Sequence, residues 1–282
     1  TPSHLDRLAM TFSLDRFEVN TLLLSLTPTF NPRYEAIYSY LQDDVTRKRP
    51  STNLVLDLLS ASSSERLENL SYFADDAPLF RHQLVERLPV AGEMPPLSQP
   101  LYPDAAVVAW LLGSYGPRAE MKPYTQLTSP HESQGDRTLA KEIWPQLERT
   151  TAQQPIIVLS GPDQATQRAG ARLAAVHENR PLLQIDLAAV AASEQSPRSA
   201  VELALRDARL TGAIPFLTGW DACLADGAPP PVLLKALCDH PTMVIVAGKV
   251  AWQARGLDRH RPFLWLHTPA PSYPQRDRKS VV

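Results

Sequence analysis

The sequence has little cysteine, little glycine and no long apolar run. Its 282 residues include only two cysteines, Cys223 and Cys238, which exclude a disulfide scaffold. They favour a reducing compartment, so we expect a cytoplasmic protein. No run approaches the roughly 18 apolar residues of a membrane span, and no signal peptide opens the chain. Because the sequence starts at Thr1 and stops at RKSVV, we expect it to be a piece of a longer protein.

An excess of charge of either sign is also missing. The formal net charge is −2, which predicts no strong electrostatic attraction to nucleic acid or to a membrane surface. The 27 prolines against 11 glycines favour many short elements, and 44% hydrophobic residues are typical of a globular protein. The length predicts about two domains.

The most informative stretch runs from Pro155 to Val176. Residues 156–159 form a short apolar run typical of a buried parallel strand. Ser160-Gly161-Pro162-Asp163 has the composition of a turn, and Ala165, Ala169, Leu173 and Val176 recur at helical spacing. Strand, glycine turn and helix are the layout of a phosphate-binding loop.

The residues that such a loop needs are not present. A working loop reads G-x-x-x-x-G-K-[ST], in which the lysine reaches the β/γ-phosphates and the hydroxyl binds Mg²⁺. Counting from Gly161, the second glycine falls on Thr166, the lysine on Gln167 and the Ser/Thr on Arg168. We therefore interpret Gly161, Thr166, Gln167 and Arg168 as a vestigial phosphate loop. An ordinary strand–turn–helix of an α/β sheet explains the same pattern.

The third and fourth strands of the predicted sheet lack their expected side chains too. Nucleotide hydrolases of this architecture end the third strand with an acid for the Mg²⁺ shell. Thr218 stands there and Asp221 follows three residues later, and we interpret the pair as a vestigial acid site. Rescue of the Mg²⁺ role by Asp221 stays an alternative, although a shift of three residues favours a loop or helix cap. Gly248 stands where a polar residue would sense the γ-phosphate, and Lys249 is expected to be solvated. Arginines that could act on a neighbouring subunit's nucleotide follow in the next loop, at Arg255, Arg259 and Arg261, with His260.

The second half of the sequence alternates between strand and helix patterns. Strands are predicted at 156–159, 182–185, 214–217, 243–246 and 263–266, and helices at 165–177, 197–210 (with Ser196 as N-cap) and 232–239. A helix over 138–147 leads into them. Crossovers of this length predict a parallel, doubly wound sheet. The predicted organisation is a helical domain at 1–122, a Pro/Ser/Thr-rich linker at 123–137 and an α/β domain at 138–282.

The first half reads as several short helices followed by a short extended pair. Helices are predicted at 17–26, 53–59 and 105–112. Three more are predicted to begin at Asn31, as N-cap with Pro32 at N1, at Ser63 and after Ala77. Extended segments are predicted between Pro89 and Tyr102. This order predicts a winged-helix-like domain. DNA binding is the obvious function for one. However, residues 1–125 hold 11 Lys and Arg against 15 Asp and Glu, a difference of −4. The basic triplet Arg47-Lys48-Arg49 follows Asp43 and Asp44, and we expect a solvated helix end there. Because phosphate contacts dominate DNA affinity, nucleic acid is an unlikely partner.

Taken together, these segments resemble a known family. PIIVLSGPDQATQRAGARLAA is similar to a degenerate first motif of an AAA+ ATPase module, and FLTGWDA to its degenerate second motif. The end, with Pro269, Pro271 and Arg276, is similar to the segment entering the small helical lid. LLLSLTPTFNPRYEAIYSYLQDDVTRKRPSTNLVLDLL resembles the winged-helix N-terminal domain of a group of prokaryotic AAA+ ATPases, some of them found beside contractile injection systems.

The resemblance implies a two-module protein with an inactive first module and ATP hydrolysis in a second module beyond Val282. It implies ATP and Mg²⁺ for the whole protein and none for this piece, which we expect not to be catalytic. The implied partners are other subunits, the downstream module and injection-particle or other proteins. Two alternatives stay open: a DNA-binding winged-helix regulator, and an atypical module that binds or hydrolyses ATP.

Overall fold

The computed structural model describes residues 2–87, 95–131, 140, 143–150, 153–254 and 261–270. The chain divides into two compact units, Thr1–Arg118 and Ala119–Val282. No helix in these ranges is long and apolar enough to cross a membrane. The predicted fold class is confirmed, because a mainly helical unit precedes an α/β sheet unit.

The first unit contains seven short α-helices and one antiparallel strand pair within its described residues. The helices are α1 (His4–Phe12), α2 (Arg16–Phe30), α3 (Arg33–Leu41), α4 (Thr52–Leu59), α5 (Ser63–Glu68), α6 (Pro78–Arg81) and α7 (Ala105–Leu111). Strands β1 (Val85–Arg87) and β2 (Leu101–Pro103) pair antiparallel, and Ser51 makes an isolated bridge to Pro100 beside them. Short helices followed by an extended pair are the arrangement predicted from the sequence, but β1 lies before Pro89, where the predicted extended segments begin.

Side-chain caps explain where several of these helices begin. Ser3 and Asp15 each form a capping box, with Asp6 and Glu18 respectively, at the starts of α1 and α2. Asn31 was the predicted N-cap of α3, but the structure places Pro32 there. The Asn31 side chain still accepts from the Arg33 backbone N–H at 3.1 Å, so the prediction is wrong by one position.

The second unit is built on a six-stranded sheet in the order β3-β5-β6-β7-β4-β8. Its strands are β3 (Thr125–Thr128), β4 (Ile156–Ser160), β5 (Leu182–Asp186), β6 (Ile214–Thr218), β7 (Val244–Gly248) and β8 (Phe263–His267). All neighbouring pairs are parallel except β3 with β5. The strand β3 lies in the stretch predicted to be a linker, so the sheet is mixed rather than purely parallel. Its polar composition suits an edge strand with exposed side chains, which sequence periodicity does not reveal.

Helices cover both faces of this sheet. They are α8 (Trp144–Thr150), α9 (Gln164–His177), α10 (Leu187–Ala191), α11 (Pro197–Thr211) and α12 (Pro231–Asp239). Along β4, Ile157 and Leu159 pack with α8 and α9, while Ile156 and Val158 pack with α10, α11 and α12. The helix predicted at 138–147 begins at Trp144 instead, where Pro145 favours a first turn. Residues 138, 139, 141 and 142 of that prediction lie outside the described ranges.

The strand order determines where a site can form. After β4 the chain crosses the sheet in one direction to reach β5, and it then returns through β6 and β7 to β8. In open α/β sheets, ligands bind beyond the carboxyl ends of the strands near such a reversal. The loops that follow β4, β6 and β7 meet at this edge.

Candidate functional site

The loop after β4 is folded tightly against the segments that follow β7 and β8. Gly161 has φ +134°, a conformation that favours glycine, and its N–H donates to the Gly248 carbonyl at 3.0 Å. A Cβ atom at Gly161 would lie 2.1 Å from the Thr268 carbonyl oxygen. Thr268 in turn donates its N–H to the Ser160 carbonyl at 2.7 Å. The glycine is therefore required by the approach of another chain segment.

Gln167, at the predicted lysine position, ties these segments together. Its side chain is 3% exposed, and Nε2 lies 3.0 and 3.1 Å from the carbonyl oxygens of Gly161 and Gly248. Nε2 also lies 3.0 Å from the Thr268 hydroxyl. An amide nitrogen has two hydrogens to donate, so these three acceptors use its whole donor capacity. The side chain at this position holds the loop closed.

The amino end of α9 is capped by its own carboxylate. Asp163 is the N-cap, and its Oδ1 accepts from the Thr166 N–H at 3.2 Å. The Thr166 hydroxyl donates to Oδ2 at 2.6 Å, and both residues are buried. A helix amino end carries partial positive charge and attracts anions. Here Asp163 supplies the negative charge that a phosphate would supply in a working loop.

Thr218 and Asp221 are both engaged with the protein backbone. The Thr218 hydroxyl donates to the Ile185 carbonyl on the neighbouring strand at 2.9 Å. Asp221 accepts from the N–H groups of Lys249 and Val250 at 2.8 and 2.9 Å. Asp221 therefore stabilises the loop after β7, in agreement with its interpretation as a loop or helix cap.

The structure gives a reason for the glycine at position 248 that the sequence did not reveal. A Cβ atom there would lie 2.9 Å from Asp221 Oδ1. A side chain at this position would press on the carboxylate that accepts from the next two backbone N–H groups. The residue at the predicted γ-phosphate sensor position thus makes space for Asp221.

A cavity of about 390 Å³ remains at this edge of the sheet. Its lining brings together most of the residues that the sequence singled out, namely Gln167, Arg168, Thr218, Asp221, Gly248 and Lys249. Arg168 and Lys249 are exposed, whereas the carboxylates of Asp186 and Asp221 accept backbone N–H groups. The cavity is large enough for a small ligand, but its acids are already used as caps. Across the described ranges, no group of three or more His, Cys, Asp and Glu side chains is placed to hold a metal ion.

Arg261 lies away from this edge, at the amino ends of the strands. Its guanidinium donates to the carbonyl oxygens of Leu237 and Thr242, at 3.1 and 2.7 Å, and to that of His240. Burial lowers the pKa of Arg261. Both terminal nitrogens of Arg261 are thus committed to backbone carbonyls at the amino ends of the strands, and this arrangement does not favour a role on a neighbour's nucleotide. Arg255, Arg259 and His260 lie outside the described residues.

In the helical unit, the basic triplet and Asp57 each contact other side chains of the unit. The contacts of the basic triplet are Arg47 with Asp44 at 3.1 Å, Lys48 with Glu35 at 3.5 Å and Arg49 with Thr29 at 3.1 Å. On α4, Asp57 forms an ion pair with Arg66 at 2.6 Å. These contacts fit a surface helix end better than a phosphate-binding cluster.

Sequence reasoning missed two residues of the site. Asp163 was assigned only to a turn, although an Asp three residues before Thr166 at the start of a helical pattern is an N-cap signal. Thr268 gave no local signal, because its contacts to Ser160 and Gln167 cross about a hundred positions of sequence.

Comparison with known proteins bears on the helical unit. Residues 2–125 match the family model described as WHD, winged helix domain, variant. No curated protein matches the chain. The chain therefore combines a winged-helix domain at residues 2–125 with an α/β sheet domain.

Proposed function

We propose that the sheet domain is an AAA+-like module that neither binds nor hydrolyses ATP. In this proposal the chain is the N-terminal part of a larger ATP-dependent machine, and it serves assembly or partner docking while a downstream module hydrolyses ATP. The motif-like segments around Gly161 and Thr218 support the family assignment. An association with contractile injection systems belongs to the same proposal and has the same support.

The observation that carries the proposal is the closed loop after β4. Gln167 holds Gly161, Gly248 and Thr268 together, and Asp163 occupies the amino end of α9. A triphosphate would have to displace the Gln167 side chain, and it would then meet the buried Asp163 carboxylate, whose charge has the same sign. Without a loop lysine and a free acid for Mg²⁺, we expect millimolar affinity at best, or about −4 kcal/mol.

A scaffolding role is supported by what the domain keeps. Both faces of the sheet are covered, and the strand ends meet as they would in a binding module. The polar side chains at these strand ends bind backbone groups instead of facing an open site. In AAA+ proteins the modules pack against each other across subunit faces, and such packing needs the fold but not the nucleotide chemistry of every module.

The two alternatives have weaker support. An atypical ATP-hydrolysing module would need a free acid, whereas Asp221 accepts two backbone N–H groups and Thr218 donates to Ile185. A DNA-binding role would rest on the winged-helix match. The helix α4 has no Lys or Arg, and its Asp57 is paired with Arg66. Phosphate contacts supply most of the affinity for DNA, so we do not propose it.

A thermal-shift experiment tests the proposal on the chain as it stands. A ligand with a Kd of about 10 µM, present at about 1 mM, would stabilise the folded protein by roughly 2.7 kcal/mol. That would raise Tm by several degrees. We expect Mg·ATP to leave Tm unchanged, and a clear rise would overturn the proposal.

The variant Gln167→Lys tests the contribution of the loop position independently of the position at the end of β6, where a hydrolase would carry its acid. We expect this variant to gain no ATP hydrolysis, because Thr218 still supplies no carboxylate. Hydrolysis by Gln167→Lys alone would contradict our assignment of the third strand of the predicted sheet.

A further inference from the structure

The helix α3 presents large apolar side chains to solvent instead of burying them. Tyr38 is its one buried residue, and its hydroxyl lies 2.6 Å from Thr27 Oγ1 on α2. Four other large side chains on the helix are exposed: Tyr34 at 36%, Ile37 at 47%, Tyr40 at 84% and Leu41 at 48%. Phe30, at the end of α2, is 53% exposed. We call these five residues the α3 surface.

The exposed apolar area of the α3 surface is large for a helix at the surface of a globular domain. The spacing of Tyr34, Ile37 and Leu41 places them on one side of the helix, and Tyr40 lies next to that side. Surface helices normally turn such a stripe toward the core. At roughly 150–250 Å² for a whole aromatic side chain, the five exposed parts sum to on the order of 500 Å² of apolar area. That is close to the largest patch found on ordinary monomers, and such patches are commonly interaction sites.

The charges at the two ends of α3 indicate what covers this surface. Arg33 opens the helix and Asp43 follows its end, and both are exposed. Neither side chain forms an ion pair within the ranges that the structure describes, whereas the nearby Lys48 and Asp44 are paired with Glu35 and Arg47. Among the described residues, the helix thus has one unpaired positive charge at its start and one unpaired negative charge just beyond its end.

We propose that two copies of the chain associate through the α3 surface, with the two α3 helices antiparallel about a two-fold axis. In that arrangement the start of one helix lies against the end of the other, so Arg33 of each copy faces Asp43 of its partner. A two-fold interface uses the same patch on both copies, as a patch with one charge of each sign at its ends allows. The roughly 500 Å² on each copy is close to the apolar share, about 65%, of the ~800 Å² that one partner contributes to a standard interface. The pair forms independently of any nucleotide chemistry in the sheet domain.

Sedimentation equilibrium of the whole chain over the micromolar range tests whether the apolar side chains of the α3 surface hold two copies together. We expect a monomer–dimer equilibrium, and we expect Ile37→Glu to raise the dimer Kd by at least about tenfold. The matched control is Leu67→Glu, a substitution of a side chain 70% exposed on α5, which should leave the Kd unchanged. A chain that stays monomeric throughout, or a dimer that Ile37→Glu leaves intact, overturns the proposal.

The antiparallel arrangement has a test of its own that does not depend on Ile37. The two-fold axis gives two contacts between positions 33 and 43 in each dimer. Arg33→Asp and Asp43→Arg should each weaken association, because each variant places like charges at both contacts. An equimolar mixture of the two variants should associate as tightly as the original chain, since every facing pair in the mixed dimer has opposite charges. Circular dichroism checks that both variants are folded. A mixture no tighter than the variants alone rejects the antiparallel pair.

Discussion

The absence of a Cβ atom at Gly161 allows the loop after β4 to close. The residue has φ +134°, and a Cβ atom would lie 2.1 Å from the Thr268 carbonyl oxygen. Gly161→Ala therefore combines a strained backbone with a backbone clash that rotamer changes cannot relieve. We expect it to lower the free energy of unfolding by at least about 2 kcal/mol, measured by urea denaturation.

Gly116→Ala is the matched control for this substitution. Nothing lies within 4 Å of a Cβ atom at Gly116, and its φ is not in the left-handed region. The control should change the free energy of unfolding by less than about 0.5 kcal/mol. Equal effects of the two substitutions would mean that Thr268 does not press on the loop.

The buried His240 lies at the opposite edge of the sheet from the candidate site, and we expect it to make the stability of the protein depend on pH. It is 3% exposed, and burial lowers its pKa to about 4, with Arg209, Arg261 and Arg180 adding to the shift. The unfolded chain binds a proton near pH 6.5, and the folded chain does not until about pH 4. Stability is therefore complete above pH 6.5 and falls as the pH drops toward 4, by about 3 kcal/mol from this group.

Urea midpoints measured between pH 4 and 7 check this expectation. His240→Gln should flatten the curve over that range, because glutamine does not titrate. The exposed His131 provides the control, and His131→Gln should leave the curve as it is. A curve that keeps its slope in His240→Gln would assign the acid sensitivity to other groups.

At the scale of single elements, the amino end of α9 is held by a cap that can be removed. Asp163 accepts from the Thr166 N–H, while Ser196, the N-cap of α11, makes no side-chain capping bond. Asp163→Ala should lower the free energy of unfolding by about 1 kcal/mol, and Ser196→Ala should cost much less. Equal losses in the two variants, read from the same urea titrations, would contradict the capping role of Asp163.

The regular elements could be predicted because their signals are local. The strands β4, β5, β6 and β8 were predicted within one residue at each end, since each is a short apolar run between turn residues. The strand β3 was missed. Thr125–Thr128 alternates too weakly, and it forms a strand only because β5 offers an open edge.

At the scale of the whole molecule, the sequence was sufficient for the fold class but not for the contacts that the residues at the motif positions make. The count from Gly161 places Gln167 at the position where a phosphate loop carries its lysine. It did not show that the glutamine joins three segments distant in sequence, or that Gly248 makes room for Asp221. Such contacts depend on the packing of the sheet, and no local pattern encodes them.

Our central proposal is that the closed loop after β4 does not hold a triphosphate. Isothermal titration of the chain with Mg·ATP at micromolar concentrations tests this directly. We predict no measurable heat, because the Gln167 side chain donates to the Gly161 carbonyl and Asp163 caps the amino end of α9. Saturable binding with a Kd tighter than about 10 µM would contradict the account.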